Sequence, residues 1–540
     1  MASLDEHAPL LGVRHDDDDV PRDLLTEGDP EPKSFIYKIL HPTQRQRATG
    51  AIFLGIFLVE LAYNSSMPAI NSISEMLVCR DVYGESIIGS GGLLSLRDSQ
   101  DPRCKSSDVQ QRLASLRGTV TALECVPAII FALPFGILAD NIGRRPVIIL
   151  AWAGITLQLA WYLVAFGGTA LGILPLWSVF FTLFWGCIGA FPSVGPAMVF
   201  TTLADVTPQS ERATAFFYVT SFFLMAEVVS NPLGGALLLW LGDFLTLLFG
   251  VAVALLSTLV IVTMPETLNF DLKLGRVVTP APAPASEDSG EVALAAPKTR
   301  REHMTAAWSQ FVHLVRTDAH ATIVHILRNK PLVLLMIPFC LVLLGRFVQD
   351  LLLQFATKRF NWSWSQAAFL LSIRSTTNLL LCLVVLPFIS ELLVRRFHVH
   401  PLVKDLWLAR VSGALLCLGS LLIAFAVTPW MMSVALVVFS LGGGFSPVLR
   451  SIINAYVEPH HQAMLQTLLG LLELSGLLVA APVLYGSLHR GLSMGGLWTG
   501  LPFMIAAGMI FVGLVIISIF RLPREKLQPA DAAEADDTDV

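Results

Sequence analysis

Long apolar runs recur along almost the whole of this 540-residue chain, and they limit the folds that it can adopt. Each run approaches the ~20 residues with which an α-helix crosses the ~30 Å hydrocarbon core of a bilayer. Charged residues make up only 14% of the chain, against about 25% in ordinary soluble domains. The sequence therefore predicts an all-α, polytopic membrane protein, and it excludes a soluble enzyme, a secreted disulfide scaffold and a nucleic-acid binder.

Twelve membrane spans are predicted, in two groups of six. The first group lies near Thr49–Ile70, Gly118–Ala139, Pro146–Phe166, Leu176–Phe200, Ala213–Trp240 and Phe244–Thr263. The second group lies near Leu332–Leu353, Ala367–Ile389, Leu406–Ala426, Met431–Ile453, Met464–Val483 and Leu497–Phe520. In both groups Leu-Pro-Phe ends the second span and an Arg pair follows, so the groups are interpreted as related halves.

The chain is predicted to divide into five parts along its length. They are a disordered cytosolic tail at 1–48, a six-helix half at 49–266, a cytosolic linker at 267–331, a second six-helix half at 332–522 and a cytosolic tail at 523–540. The linker is rich in Pro and Ala at 280–284 and then becomes charged, a composition typical of flexible segments. Lys and Arg collect beside the spans on the side of the tails and the linker, and this bias predicts that both termini face the cytosol.

The turn after the second span carries the most specific motif of the chain. Residues 136–146 read Gly-Ile-Leu-Ala-Asp-Asn-Ile-Gly-Arg-Arg-Pro, which resembles the signature loop of the major facilitator superfamily, with Asn141 in place of the usual basic residue. The resemblance implies the twelve-helix major facilitator fold and a cytosolic gate formed by Gly136, Asp140, Gly143, Arg144 and Arg145. The two glycines permit close approach of helices or a tight turn, and the charged residues can form a latch or face a helix end.

Three further motifs resemble sequences of the same superfamily. Asp205-Val206-Thr207-Pro208 resembles the loop after its fourth helix, and Pro265-Glu266-Thr267 resembles the common end of its sixth helix. Asn231-Pro232-Leu233-Gly234-Gly235 resembles the Gly-Pro-x-x-Gly motif of its proton antiporters, with Asn in place of the first Gly. The chain also resembles fungal members with distant similarity to the proton-coupled folate transporter family. These resemblances imply secondary active transport by alternating access.

Several charged residues fall inside the predicted spans, where each charge costs several kcal/mol unless it is paired or faces an aqueous cavity. These candidates for substrate or proton binding are Glu60, Glu124, Glu227, Arg346, Asp350, Arg374 and Glu473. A carboxylate in a low dielectric favours its protonated form, so these side chains predict proton coupling, with Glu60 and Glu227 ranked ahead of Glu124 and Glu473. The alternative for any one of them is a structural hydrogen bond or a static ion pair, such as Arg346 with Asp350 on the same helix face.

The function that these residues favour is proton-coupled transport of a small organic solute. Arg346 and Arg374 place positive charge in the second half, which indicates a solute with an anionic group. The rival class is a transporter-like receptor that binds solute without moving it, and the largely intact loop motif favours transport. The expected partners are the solute, protons and the bilayer. The chain is expected to be a monomer without enzymatic activity, cofactor, metal site or nucleic-acid partner.

Short motifs predict processing and sorting. Cys79 and Cys104 share the polar loop at 71–117 and can form a disulfide if that loop faces an oxidising compartment. Asn361-Trp362-Ser363 is a glycosylation sequon in the loop after the seventh span. Glu6, Leu10 and Leu11 form an acidic dileucine pattern of the kind that sorting adaptors bind. Residence in a vacuolar or endosomal membrane and residence in the plasma membrane both remain open.

Overall fold

The apolar runs form α-helices, because a backbone in hydrocarbon must satisfy its hydrogen bonds within its own segment. A computed structural model describes residues 44–84, 102–207, 212–268, 330–346, 351–397, 399–456 and 462–521. Across these residues the regular structure is helical, without a strand, as the sequence predicts. The dileucine pattern at Glu6, Leu10 and Leu11 lies outside the described residues, as do Asp350 and most of the predicted linker.

The described helices fall into two sets along the chain. The first set comprises α1 (Gln44–Tyr83), α2 (Ser107–Ile142), α3 (Arg144–Ala170), α4 (in three segments, Leu176–Phe181, Thr182–Gly186 and Phe191–Val206), α5 (Arg212–Leu241) and α6 (Asp243–Val262). The second set comprises α7 (Lys330–Arg346 and Leu352–Phe360), α8 (Trp364–Leu380 and its continuation Leu381–Val385, Leu386–Glu391 and Leu392–Arg396), α9 (Pro401–Ala424), α10 (Pro429–Leu441, Gly442–Gly444 and Phe445–Asn454), α11 (Gln462–Met494) and α12 (Gly496–Gly500 and Leu501–Ile519).

Eleven of the described helices are long and apolar enough to cross a membrane. The remaining predicted span, near Leu332–Leu353, corresponds to a shorter apolar helix at Lys330–Val342, because residues 347–350 lie outside the described part of the chain. The prediction of an all-α, multi-pass membrane protein is therefore confirmed.

Two helices extend beyond their predicted ends into the predicted loop at 71–117. α1 continues past Ile70 to Tyr83, and α2 begins at Ser107 rather than Gly118. The predicted loop is thus wrong at both of its ends. The extensions bury polar side chains such as Glu75 and Gln110, and hydropathy assigns turns of this composition to a loop.

The two ends of the bundle are named here by what lies at each of them. Cys79 near the end of α1 and Cys104 ahead of α2 form a disulfide, with their Cα atoms 5.2 Å apart. This end is called the disulfide side. The opposite end, where α6 ends and α7 begins, is called the linker side.

From Arg47 onward the described helices belong to one compact unit, in which the two sets meet mainly along α2 with α11 and α5 with α8. Within the sets, α3 packs against α6 and α9 packs against α12. Gly234 allows α5 to approach α1 closely, since a Cβ atom at this position would lie 2.8 Å from the Cα of Ser65. These contacts fix the helices that surround a cavity between the sets.

Candidate functional site

A cavity of about 290 Å³ lies between the two sets of helices. Its walls come from α1 to α5 in the first set and from α7, α8 and α11 in the second. The polar part of the lining includes Asn64, Asn71, Arg117, Glu124, Tyr162, Asn231 and Arg374, and the apolar part includes Met67, Ile70, Leu353, Leu371, Leu474 and Leu477. Apolar walls with a few convergent polar groups are typical of sites for small organic ligands.

Among the predicted carboxylates whose side chains the structure describes, Glu124 is the one that lines this cavity. It lies on α2 and accepts a hydrogen bond from the Tyr162 hydroxyl at 2.6 Å and another from Gln158 Nε2 at 2.6 Å. Both donors belong to α3 and are neutral side chains. The carboxylate is therefore held in position by groups that do not neutralise its charge.

Arg117, which is not among the predicted site residues, adds a positive charge to the same cavity. Hydropathy places it at the end of the loop at 71–117, whereas the structure places it on α2, two helical turns before Glu124. Residues seven apart lie on the same face of a helix, so the spacing of Arg117 and Glu124 was the signal that could have found it.

Glu227 and Arg374 form an ion pair that joins α5 of the first set to α8 of the second. Their side chains are only 20% and 17% exposed, and Arg374 lines the cavity. Next to this pair, Asn231 Nδ2 donates a hydrogen bond to Ser375 Oγ at 3.0 Å. Arg374 is thus paired with Glu227, so an anionic solute would share its charge with this carboxylate, and the interpretation of Arg374 as a site for an anionic group stays a prediction.

The other predicted charges lie away from the cavity lining or outside the described side chains. Glu60 accepts a hydrogen bond at 2.9 Å from Asn64, which itself lines the cavity. Glu473 on α11 pairs with Arg450 on α10 at 2.7 Å, inside the second set. This contact favours the structural alternative for Glu473. The side chain of Arg346 and the whole of Asp350 lie outside what the structure describes, so their pairing stays a prediction.

The predicted gate lies on the linker side, where α3 begins. The Glu266 carboxylate accepts hydrogen bonds from the backbone N–H groups of Arg144 at 2.8 Å and Arg145 at 3.1 Å. These are unpaired N–H groups of the first turn of α3, which carries the positive end of the helix dipole. Arg144 Nε also donates to Asp205 at 3.1 Å, and Arg145 Nη2 donates to the Val262 carbonyl at 2.8 Å. The loop motif, the Asp205 motif and the Glu266 motif therefore meet at one point of the first set.

The two glycines of the gate have different surroundings. Gly143 has a φ of +114°, a conformation that favours glycine, and a Cβ atom there would collide with the Glu266 carboxylate. Among the described residues no atom lies within 4 Å of the Cβ position at Gly136, so its part in the gate stays a prediction. The side chain of Asp140 lies outside the described part of the structure.

A buried polar cluster lies on the disulfide side and is absent from the predicted sites. Glu75 is 1% exposed and accepts hydrogen bonds from Lys105 Nζ at 2.8 Å, from Gln110 Nε2 and from Trp364 Nε1 at 2.7 Å. Lys358 Nζ donates to the Lys105 carbonyl. Burial and the nearby Lys105 ammonium lower the pKa of Lys358, and the Glu75 carboxylate partly offsets them. The signal for this site was the helical spacing of Ile70, Ile73 and Leu77, which continues α1 past its predicted end.

The predicted glycosylation site also lies on the disulfide side. Asn361 follows the last turn of α7 and adopts a left-handed conformation with φ of 54°, just ahead of α8. Glycosylation of Asn361 would require that the disulfide side face the lumen or the cell exterior, and both the modification and the orientation stay predictions.

A multi-pass helical bundle with a partly polar cavity between two sets of helices is typical of membrane transporters. Residues 52–403 match the sequence profile of the Major Facilitator Superfamily. The chain belongs to this superfamily.

Its relatives include fungal transporters. The chain is 27% identical over 467 residues to the MFS efflux pump atnC of Emericella nidulans, covering 84% of each chain. It is 29% identical over 436 residues to the efflux pump ustT of Aspergillus flavus, covering 79% of this chain and 78% of that protein. Among solved structures, a D-xylose-proton symporter matches 89% of this chain and 99% of its own, with a TM-score of 0.56 and 12% identity. That likeness concerns the fold alone.

Proposed function

We propose that this protein exports a small organic solute in exchange for protons, by alternating access. The observation that carries the proposal is the position of Glu124, a carboxylate in the wall of the cavity between the two sets. Its hydrogen-bond donors Tyr162 and Gln158 are neutral, and Arg117 is the cationic side chain of the same helix whose charge acts on it. A proton can therefore bind to Glu124 while both hydrogen-bond partners stay in place. Solute and proton would then occupy one cavity in turn.

The direction of transport rests on the relatives and on one motif. Two fungal relatives bear the name efflux pump. The segment from Asn231 to Gly235 resembles the proton-antiporter motif, and Asn231 lies in the cavity wall beside the contact between α5 and α8. Export driven by inward proton movement is the direction that both features support.

The arrangement of the two sets supports alternating access. A series of hydrogen bonds joins the sets between the cavity and the disulfide side, for example Ser365 Oγ to the Gly235 carbonyl at 2.6 Å and Gln354 Nε2 to the Gln110 carbonyl at 2.9 Å. These contacts support a state in which the disulfide side of the cavity is closed. With the predicted orientation, solute would enter from the cytosol, as an exporter requires.

The test uses the full chain in proteoliposomes with an imposed pH gradient and a panel of radiolabelled small organic acids. The wild type should accumulate at least one acid when the gradient is present and lose this accumulation when an ionophore collapses the gradient. Glu124→Gln should exchange internal for external solute but should not accumulate it. The matched control is Glu391→Gln, an exposed carboxylate on α8 that pairs with Arg395 of its own helix. Binding of an acid by the wild type without any movement across the bilayer would favour the receptor class instead.

A further inference from the structure

The polar cluster around Glu75 consists of six residues, which come from both sets of helices. The members are Glu75, Lys105, Gln110, Gln354, Lys358 and Trp364. Glu75 and Trp364 are each 1% exposed, so the carboxylate lies in a site from which water is largely excluded. A buried carboxylate is costly unless several donors compensate it, and here an ammonium, an amide and an indole N–H do so.

Three hydrogen-bonded contacts and one cation–π contact of this cluster cross between the sets. Trp364 at the start of α8 donates to Glu75 on α1, and Gln354 on α7 donates to Gln110 on α2. Lys358 on α7 donates to the backbone carbonyl of Lys105. The Lys105 ammonium also lies 5.3 Å from the centre of the Trp364 ring. Separation of the sets at this side would break all of these contacts, whereas the ion pair of Glu75 with Lys105 lies within the chain segment 75–105 and would remain.

The disulfide lies directly beside this cluster. Cys104 precedes Lys105 in the chain, and its bond to Cys79 ties the short helix Pro102–Lys105 to α1 one turn after Glu75. Because a lysine side chain is long and flexible, restraint of its backbone reduces the conformational freedom that is lost when its ammonium is held on a buried carboxylate. The disulfide provides that restraint.

We propose that Glu75 is a positioning residue for transport: it holds the disulfide side of the cavity closed by collecting donors from both sets, and the Cys79–Cys104 disulfide keeps Lys105 among them. The proposal rests on the proposed alternating access for its functional meaning. Its test measures the distance between the sets directly, so it does not depend on the identity of the solute or on proton coupling.

The test measures spin-label distances on the full chain in lipid nanodiscs. Labels are attached at Asp108→Cys on α2 and Arg490→Cys on α11, two exposed positions at the disulfide side of the helix pair that joins the sets. The five free cysteines at 125, 187, 340, 382 and 417 are replaced by serine, and the disulfide is kept. Double electron-electron resonance then reports the populations with the disulfide side closed and open.

Glu75→Gln leaves the Lys105 ammonium buried without its carboxylate, so the ratio of open to closed molecules should rise by at least about tenfold. Gln354→Leu removes a donor of the second set only and should shift the ratio in the same direction. A role of Glu75 confined to the folding of its own set would not produce that second shift. The matched control is Asp81→Asn, an exposed carboxylate on the same side that pairs at 3.4 Å with Arg112 of its own set, and it should leave the distances unchanged.

The disulfide is tested by the double variant Cys79→Ser with Cys104→Ser, which should also increase the open population. An unchanged distance distribution in Glu75→Gln would overturn the positioning role of Glu75. An unchanged distribution in the double serine variant would overturn the role of the disulfide. If Glu75→Gln fails to fold, Gln354→Leu and the double serine variant still alter different parts of the cluster. Unchanged distance distributions in these two variants would then refute the proposal.

Discussion

Glu227 on α5 and Arg374 on α8 form an ion pair that connects the two sets of helices beside the central cavity. Asn231 and Ser375 join the same two helices next to this pair. Since α5 and α8 form one of the two main contacts between the sets, movement of one set against the other must act on this pair. The pair therefore couples Arg374, a charged residue of the cavity wall, to the relative position of the two sets of helices.

Removal of one partner of this pair is expected to destabilise the protein. Glu227→Gln or Arg374→Gln leaves an uncompensated charge in a mostly buried site, and such changes cost about 3–5 kcal/mol. The double variant Glu227→Gln with Arg374→Gln should recover part of this loss, because no unpaired charge remains. Thermal unfolding of the purified protein, followed by tryptophan fluorescence, measures the effect.

The exposed pair of Glu391 and Arg395 on α8 provides the control for this comparison. Glu391→Gln should change the unfolding temperature very little, since exposed pairs contribute about 0–1 kcal/mol. Equal stability losses in Glu227→Gln and Glu391→Gln would show that the buried pair contributes no more to the free energy of unfolding than the exposed pair.

The gate offers a matched pair of glycine substitutions. Gly143→Ala should destabilise the protein by about 1–3 kcal/mol, because its φ of +114° disfavours a side chain and the new methyl group would meet Glu266. Gly136→Ala lies in helix α2 with open space at the Cβ position, so it should be neutral or stabilising by up to about 1 kcal/mol. The midpoint of thermal unfolding distinguishes the two outcomes, and a loss of similar size at both positions would contradict the contact between Gly143 and Glu266.

The disulfide gives a chemical prediction. Cys79 and Cys104 are separated by 25 residues, and in the chain-entropy model a loop of this length gains about 3 kcal/mol from closure. The unreduced protein should therefore yield a linked pair of peptides in mass spectrometry, and the double serine variant should unfold at a lower temperature. Detection of both thiols in the free form would refute this prediction.

Much of the fold could be predicted because hydropathy reports directly on membrane spans. Hydropathy failed where helices carry buried polar residues, so the outer turns of α1 and α2, with Glu75 and Gln110, were assigned to a loop. Arg117 was lost for the same reason. The polar side chains of these turns are buried by partners that are distant in the chain, such as Trp364, which lies 289 residues from Glu75. Such a partner leaves no pattern in the sequence near Glu75.

The charges of the candidate site could be found in the sequence, but their partners could not. Glu227 and Arg374 are 147 residues apart, so only the packing of α5 on α8 brings them together. Arg450 falls within a predicted span, near Met431–Ile453, and could have been selected as an intramembrane charge alongside Glu473. Hydropathy thus locates the charged candidates, while tertiary contacts show that Glu227 and Glu473 form ion pairs between helices and that Glu124 lines the cavity.

The final prediction concerns the order of the carboxylates in proton coupling. The sequence ranked Glu60 and Glu227 first, whereas the structure places Glu124 in the cavity wall, Glu227 in an ion pair and Glu60 behind Asn64. We expect Glu124→Gln to abolish accumulation driven by a pH gradient while exchange of solute continues. Glu60→Gln should keep at least about half of the wild-type accumulation, because the amide oxygen of glutamine can still accept the hydrogen bond from Asn64.

Proteoliposomes loaded with a transported acid allow both activities to be measured on the same preparation. Accumulation is recorded with a pH gradient, and exchange is recorded with equal pH on both sides. Glu227→Gln should lower both activities together, because it disturbs the contact between α5 and α8 rather than proton binding alone. If Glu60→Gln loses accumulation and Glu124→Gln keeps it, the coupling carboxylate is Glu60 and the ranking taken from the sequence is the correct one.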